Sequence, residues 1–176
     1  MIETPEPTQR AIDIVVLCPH AVADQYCAPL AAAHRMSTTE SPDVAVEYLT
    51  RTQAPLLIVD GDLQVSCDLC RRSRDLAVAK PAVLVTLSEP AAAGQVIDLC
   101  DSILLKPFAP NLLSSRVGRM LRDAVGTFIE WPNDPCPHCQ HNGGVVLFDY
   151  ASLQRAWYAC RQCRTVWMAR LPESLI

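Results

Sequence analysis

Short, continuous apolar runs recur through the first two thirds of the chain. They predict strands at 12–17, 55–60, 82–86 and 102–105, with a weaker edge strand at 36–39. Runs of this length without polar alternation are typical of strands buried on both faces of a parallel sheet. The run at 55–60 ends on Asp60, and in such sheets the loops beyond the carboxyl ends of the strands form the ligand site. We therefore expect Asp60 to lie where binding or chemistry occurs.

The stretches between these runs are amphipathic and predict helices. One is expected over 21–34, interrupted by Pro29, and a second begins at Pro42 with Ser41 as its cap. A third carries Leu69, and the last two cover 89–100 and 111–124, the last with Arg116, Arg119 and Arg122 facing solvent. Strands that alternate with helices predict an α/β fold, a doubly wound five-stranded parallel sheet.

Composition limits the classes of function. Half of the residues are hydrophobic, which allows a substantial core, and the net charge of −4 argues against broad electrostatic binding to nucleic acid or anionic membrane. No run approaches the roughly 18 apolar residues of a membrane span. The first nine residues lack a basic and an apolar segment, so we expect a disordered lead-in, no signal peptide and a cytoplasmic protein.

Four of the nine cysteines form two Cys-x-x-Cys pairs near the C-terminus, Cys136/Cys139 and Cys160/Cys163. Two such pairs can complete a closed tetrahedral Cys₄ site. Two strands are predicted between the pairs, at 145–148 and 156–159, and a third follows at 165–168. The pattern resembles a zinc ribbon in which Zn²⁺ is structural, because so small a module needs metal to fold. We predict four segments: a lead-in (1–9), a first domain (10–125), a linker (126–134) and a ribbon (135–172).

The first domain resembles the receiver domain of bacterial response regulators, which has a flavodoxin-like fold. Three landmarks carry the resemblance: Asp60 after the third strand, Thr86 at the end of the fourth, and Lys106-Pro107-Phe108 after the fifth. The resemblance implies that Asp60 is the phospho-acceptor and that Thr86 and Lys106 contact the phosphoryl group. It also implies a magnesium ion that neutralises the phosphoryl oxygens during transfer.

One part of the family pattern is missing. Where the family has an acidic pair after the first strand, this chain has Cys18-Pro19. A thiol is a poor ligand for Mg²⁺, so we expect weak or absent magnesium binding and weak or absent phosphorylation. The first domain is therefore predicted to be a degenerate, pseudo-receiver domain in which Lys106 holds Asp60.

The main functional hypothesis is a non-enzymatic signalling adaptor that acts through protein contacts. A histidine kinase or another regulator would be its partner, and homodimer formation is left open. One alternative is a nucleic-acid-binding regulator that uses the ribbon's Trp157, Tyr158, Trp167, Arg155, Arg161 and Arg164. From residue 126 onward, however, four arginines balance four acidic residues, so protein binding is favoured. A further alternative is a thiol redox sensor based on Cys67 and Cys70, with Cys18 as a third thiol.

Overall fold

The computed structural model describes residues 11–77, 80–123, 135–141, 144–150 and 155–170. A parallel sheet of five strands is flanked by helices, and a separate antiparallel sheet of three strands follows. The predicted lead-in (1–9) and linker (126–134) lie outside the described residues. No helix in the described ranges is long and apolar enough to cross a membrane.

The first sheet has the order β2-β1-β3-β4-β5 with all neighbours parallel. The chain alternates strands and helices: β1 (Ile12–Leu17), α1 (Ala23–Leu30), β2 (His34–Thr39), α2 (Pro42–Thr52), β3 (Leu56–Val59), α3 (Leu63–Arg74), β4 (Ala82–Leu87), α4 (Ala93–Val96), β5 (Ser102–Leu105) and α5 (Pro110–Asp123). Short 3₁₀ turns at His20–Val22 and Pro90–Ala92 precede α1 and α4. This confirms the predicted flavodoxin-like, doubly wound α/β fold.

The central strand β3 is buried on both faces, as its continuous apolar sequence predicts. All four of its side chains are fully buried. Leu57 and Val59 belong to the core on the α2–α3 side, whereas Leu56 and Ile58 belong to the core beneath α1 and α5. Because the strand contributes to both cores, the residue that follows it is held at the centre of the sheet.

Two predicted helices are shorter in the structure. The helix predicted over 21–34 ends at Leu30, because His34 already pairs with Ile12 as the first residue of β2. The helix predicted over 89–100 is reduced to the 3₁₀ turn and α4. The chain after α4 turns early and brings Asp101 to β4, where its carboxylate accepts a hydrogen bond of 2.8 Å from the Val83 N–H.

The prediction that Arg116 faces solvent is wrong. Its side chain is buried, and its Nη1 donates to Ser102 Oγ at 2.8 Å and to the Ile103 carbonyl at 3.2 Å. The helical period alone places Arg116 beside Arg119 and Arg122, but β5 offers these oxygens beneath α5. Hydrogen bonds to β5 thus draw the long arginine side chain inward.

The C-terminal module is a three-stranded antiparallel sheet of order β6-β7-β8. Its strands are β6 (Gly144–Tyr150), β7 (Arg155–Cys160) and β8 (Val166–Arg170). The rings of Tyr158 and Trp167 stack with centroids 5.6 Å apart and form a small core with the cysteines. This sheet agrees with the predicted ribbon strands.

Candidate functional site

The predicted site residues of the first domain meet at the carboxyl edge of the parallel sheet. The Asp60 N–H donates to the Leu17 carbonyl at 2.7 Å, which fixes Asp60 to the end of β1. The Lys106 N–H donates to the Leu87 carbonyl at 2.7 Å, which ties the turn after β5 to the end of β4. These backbone bonds carry the side chains of Asp60 and Lys106 toward one another.

Asp60 forms a close ion pair with Lys106. The Lys106 Nζ donates to Asp60 Oδ1 at 2.6 Å, and Asp60 is only 5% exposed. The Lys106–Pro107 peptide bond is cis. A buried carboxylate needs such a partner, since an unpaired charge in this position would be strongly destabilising. The predicted contact between Asp60 and Lys106 is therefore present.

The second carboxylate oxygen of Asp60 is bonded to a tyrosine that the sequence pattern did not single out. The Tyr26 hydroxyl donates to Asp60 Oδ2 at 2.6 Å, and Tyr26 is fully buried on α1. Its oxygen also lies 3.0 Å from Thr86 Oγ1. A phenol has one proton, so Tyr26 donates to the carboxylate and Thr86 donates to Tyr26. Burial, followed by the hydrogen bond to Asp60, raises the pKa of Tyr26, which keeps it protonated.

Phe108 holds the Tyr26 ring in place. The two rings meet edge to face, with centroids 5.8 Å apart and planes at 61°. This is a preferred geometry for aromatic pairs. The Lys106-Pro107-Phe108 turn therefore makes two contacts with the site: the Lys106 ammonium group pairs with Asp60, and the Phe108 ring packs against Tyr26.

Neither Cys18 nor Asp62, the two neighbours of Asp60 considered from the sequence, is well suited to holding a hard cation. Cys18 is 2% exposed, and burial, followed by the charge of Asp60, raises the pKa of its thiol to about 11. Cys18 is therefore a neutral thiol, which binds Mg²⁺ poorly. The Asp62 carboxylate is used elsewhere, because its Oδ1 accepts the Val65 N–H at 2.9 Å and caps α3.

The four cysteines of the C-terminal module converge on one point. Their Sγ atoms all lie within 4.8 Å of one another, so together they could hold a metal ion. The closest pairs join the two motifs, with Cys136 and Cys163 at 3.5 Å and Cys139 and Cys160 at 3.6 Å. Hydrogen bonds with Thr165 lower the pKa of Cys163, which favours the thiolate form of this one ligand.

The two Cys-x-x-Cys motifs fold into matching turns, here called the first knuckle (136–140) and the second knuckle (160–164). In each, the N–H of the last residue bonds the carbonyl of the first cysteine, at 2.9 Å for Gln140 and 3.1 Å for Arg164. Those last residues also share a left-handed backbone, with φ of 60° and 66°. Glycine is the usual occupant of that conformation, so both turns carry some backbone strain.

The second knuckle contacts the first domain. Arg161 Nη1 donates to the Ile97 carbonyl at 2.8 Å, and Arg164 is ion-paired with Asp98. Ala159 is fully buried within the core that includes β4 and β5. The strand β6 lies alongside β5. The sequence contains no local signal for this interface, because its residues lie more than 60 positions apart.

Two further buried cysteines, Cys70 and Cys100, are poorly suited to redox chemistry. Burial, followed by the nearby Cys67, raises the pKa of Cys70 to about 12. Burial and then Cys70 likewise raise the pKa of Cys100. Because the thiolate is the reactive form, these thiols are held in their inert state. Cys70 is therefore a poor member of the Cys67–Cys70 pair that the redox-sensor alternative requires.

Comparison with solved structures identifies the fold of the first domain. A receiver-modulated diguanylate cyclase from Pelobacter carbinolicus matches at a TM-score of 0.56 and 19% identity, over 65% of this chain and 95% of that one. A response regulator from Thermotoga maritima matches at a TM-score of 0.56 and 18% identity, over 64% of this chain and 98% of that one. The first domain has the receiver fold. No protein-family model and no curated protein matches the chain.

The receiver fold and the site geometry agree with much of what the sequence predicts. Lys106 contacts Asp60 directly, Thr86 is linked to Asp60 through the Tyr26 hydroxyl, and the four cysteines form one cluster. The role of Asp60 as phospho-acceptor, the roles of Thr86 and Lys106, and the identity of the metal stay predictions. Tyr26 was missed because its contact with Asp60 depends on how α1 packs across the sheet edge.

Proposed function

We propose that this protein is a non-enzymatic signalling adaptor built on a pseudo-receiver domain. In this proposal the domain keeps one conformation through internal contacts at Asp60 and signals through protein partners such as a histidine kinase or another regulator. The C-terminal module is a structural zinc ribbon that serves as an output or docking surface. A cytoplasmic location belongs to the proposal, because a four-thiolate site requires reduced cysteines.

The observation that carries the proposal is the double capping of Asp60. One carboxylate oxygen accepts from Lys106 and the other from Tyr26, each at 2.6 Å. Phosphorylation requires a carboxylate oxygen to attack phosphorus along an open line of approach. Here the buried Tyr26 ring stands beside that oxygen, so a phosphoryl donor must first displace it. The capped carboxylate can instead stabilise the fold without any phosphoryl group.

Cys18 also supports weak or absent phosphorylation of Asp60. Phosphoryl transfer relies on Mg²⁺ to neutralise the oxygens of the transferred group, usually through one or two carboxylates. A neutral, buried Cys18 supplies no such ligand. Without a well-held cation, acyl phosphate formation at Asp60 loses much of its electrostatic support.

The four-cysteine cluster fits zinc. Four sulfur donors at one point favour a soft or borderline ion with tetrahedral geometry, and Zn²⁺ is the usual occupant of such closed sites. Cys136, Cys139, Cys160 and Cys163 would hold the ion. Four protein ligands leave no open position for substrate, so the metal would supply folding energy rather than catalysis.

The nucleic-acid alternative gains no support from the ribbon. Tyr158 is fully buried and Trp167 is 9% exposed, so neither ring presents a face for base stacking. The side chains of Arg161 and Arg164 are exposed, but each is already bonded to the first domain, Arg161 to the Ile97 carbonyl and Arg164 to Asp98. The ribbon surface is therefore better suited to contacts with protein.

Incubation of the purified chain with acetyl phosphate and Mg²⁺, followed by intact mass spectrometry, tests the proposal. We expect no stoichiometric phosphoryl adduct. An adduct that forms readily on the unmodified chain and is absent from Asp60→Ala would overturn the pseudo-receiver assignment. A true receiver domain processed in parallel serves as the positive control for the reagent.

A further inference from the structure

The contact between the ribbon and the first domain is made by the second knuckle, the turn that carries Cys160 and Cys163. Arg161 donates to the carbonyl of Ile97, the capping residue that follows α4. An arginine in this position satisfies a carbonyl that the helix itself leaves unpaired. Arg164, at the other end of the turn, is paired with Asp98 one residue later. The second knuckle thus binds the two residues that directly follow α4, Ile97 and Asp98.

The approach of the knuckle to α4 depends on a glycine. A Cβ atom built on Gly94 would lie 3.2 Å from the Cβ and 3.6 Å from the Cγ of Arg164. The first of these distances is shorter than ordinary van der Waals contact. Glycine at position 94 therefore lets Arg164 lie directly against the helix, and a larger side chain there would push the knuckle away.

The same knuckle depends on the cysteine site for its shape. The Cys160 N–H bonds the Thr165 carbonyl at 2.9 Å, and the Arg164 N–H bonds the Cys160 carbonyl at 3.1 Å. Arg164 is held at φ 66°, which a side-chain-bearing residue rarely adopts without support. Two of the four cysteines, with Tyr158 and Trp167, make up the buried core of the ribbon. A core this small cannot hold the turn without cross-linking by metal.

The ribbon also covers one edge of the first domain. β5 is the last strand of the parallel sheet, and β6 lies alongside it. Ala159 is buried in the core of the first domain, with Trp157 and Val166 packed against it. Release of the ribbon would therefore expose both the end of α4 and the open edge of β5, a surface suited to pairing with other chains.

We propose that metal occupancy of the four-cysteine site controls whether the ribbon stays docked on α4 and β5. With metal bound, the second knuckle is rigid. Arg161 then keeps its hydrogen bond to the Ile97 carbonyl, and Arg164 keeps its ion pair with Asp98. When metal is removed, the knuckle opens, Arg164 leaves its left-handed conformation, and the α4–β5 edge is uncovered. This inference rests on the metal binding proposed above, and it is independent of the state of Asp60.

Thermodynamic linkage makes the proposal testable from the side of the first domain. If metal favours docking, then docking must favour metal by the same factor. A substitution on α4 that loosens docking should therefore weaken metal binding, although it touches no ligand. Gly94→Leu is such a change. Gly118→Leu on α5 is its matched control, because a Cβ there lies 3.5 Å from Arg122 Nη1, an ordinary contact.

The experiment measures Zn²⁺ affinity of the full chain by competition with a chromophoric chelator. We expect Gly94→Leu to weaken binding by about fivefold or more, the lower end of typical couplings between sites, and Gly118→Leu to leave it unchanged. Asp98→Ala and Asp68→Ala form a second pair, because both carboxylates are 56% exposed and each is paired with an arginine. Zinc binding that is weaker in Asp98→Ala than in Asp68→Ala supports the proposal. If Gly94→Leu and Asp98→Ala both bind zinc as tightly as their control variants, the proposal is wrong.

Hydrogen exchange gives an independent readout on the unmodified chain. Removal of Zn²⁺ by chelation should speed amide exchange in residues 93–98 and 102–105, while exchange in the central strand β3 stays unchanged. If the chain binds zinc but exchange at 93–98 does not respond to its removal, the proposed coupling is wrong. If the chain binds no zinc at all, the metal assignment itself fails, so the two failures are distinguishable.

Discussion

The Tyr26 hydroxyl lies 2.6 Å from Asp60 Oδ2, although the two residues are 34 positions apart in the chain. Both side chains are buried, and the charged carboxylate is a stronger acceptor for the tyrosine proton than the neutral Thr86 hydroxyl beside it. The contact joins α1 to the carboxyl end of the central strand. It also occupies the carboxylate oxygen that Lys106 does not contact, so both oxygens of Asp60 are hydrogen-bonded within the protein.

Removal of the Tyr26 hydroxyl should destabilise the first domain. We expect Tyr26→Phe to lower the free energy of unfolding by about 2 kcal/mol, because a hydrogen bond to a buried charged group is lost. Urea denaturation followed by circular dichroism measures the change. Tyr48→Phe is the matched control, because the Tyr48 ring is only half-buried and contacts Arg51 on the outside of α2. Equal stability of Tyr26→Phe and the unmodified chain would contradict the capping role.

Loss of the Lys106 charge should have a larger effect. We expect Lys106→Met to destabilise the first domain by about 3 kcal/mol, because Asp60 would become a buried carboxylate without a cation. Denaturation of the single variants and of Lys106→Met/Asp60→Asn gives the coupling energy. The double variant should recover part of the loss, since an asparagine side chain carries no charge. Lys80→Met, at an exposed position, is the control, and a similar loss there would argue against a specific ion pair.

The raised pKa of Tyr26 predicts a dependence on alkaline pH. Its pKa in the folded protein lies above the ordinary value of 10.0, chiefly through burial and then through Asp60. A raised folded pKa means that the stabilisation is complete below pH 10 and is lost as the pH rises through the folded value. Ultraviolet absorbance titration of the chain, which has four tyrosines, should reveal a late-titrating fraction. If that fraction persists in Tyr26→Phe, it belongs to another tyrosine.

The cysteine cluster should bind one metal ion per chain. We expect Cys136→Ser to abolish stoichiometric zinc binding and to unfold the ribbon, because Cys136 is one of four converging ligands and is fully buried. Elemental analysis and native mass spectrometry give the metal content. Cys27→Ser, at a half-buried thiol on α1, should retain the metal. Retention of zinc by Cys136→Ser would show that the four sulfurs do not form the site.

The left-handed residues of the two knuckles should respond differently to glycine. Gln140→Gly removes strain from the first knuckle and should stabilise the ribbon by about 1 kcal/mol. Arg164→Gly relieves the same strain but loses the contacts with Asp98 and Gly94, so its gain should be smaller. Thermal unfolding of the zinc-loaded chain, followed through tryptophan fluorescence, compares the two. An equal gain in both variants would mean that the Arg164 side chain contributes nothing to docking.

The sequence by itself determined the elements and the landmarks of the site. Continuous apolar runs such as 56–59 can be buried only when both faces are covered, and this pattern identifies a parallel sheet without any knowledge of contacts. Polar residues that directly follow such runs must meet at one edge, which is why Asp60 and Lys106 lie in contact as expected. The spacing within each Cys-x-x-Cys pair lets both of its thiols face one ion, so the sequence also predicted the four-cysteine cluster.

Only the tertiary structure decided which side chains meet across elements. The Tyr26 contact requires α1 to lie over the sheet edge, and the periodicity of α1 does not say what its buried face touches. Arg116 turns inward because β5 offers oxygens beneath α5, which overrides the helical pattern. The docking of Arg161 and Arg164 on α4 joins two modules that are distant in the chain. Local sequence encodes periodicity and turns, whereas long-range pairing depends on the packing of whole elements, and so these contacts emerge only in the folded chain.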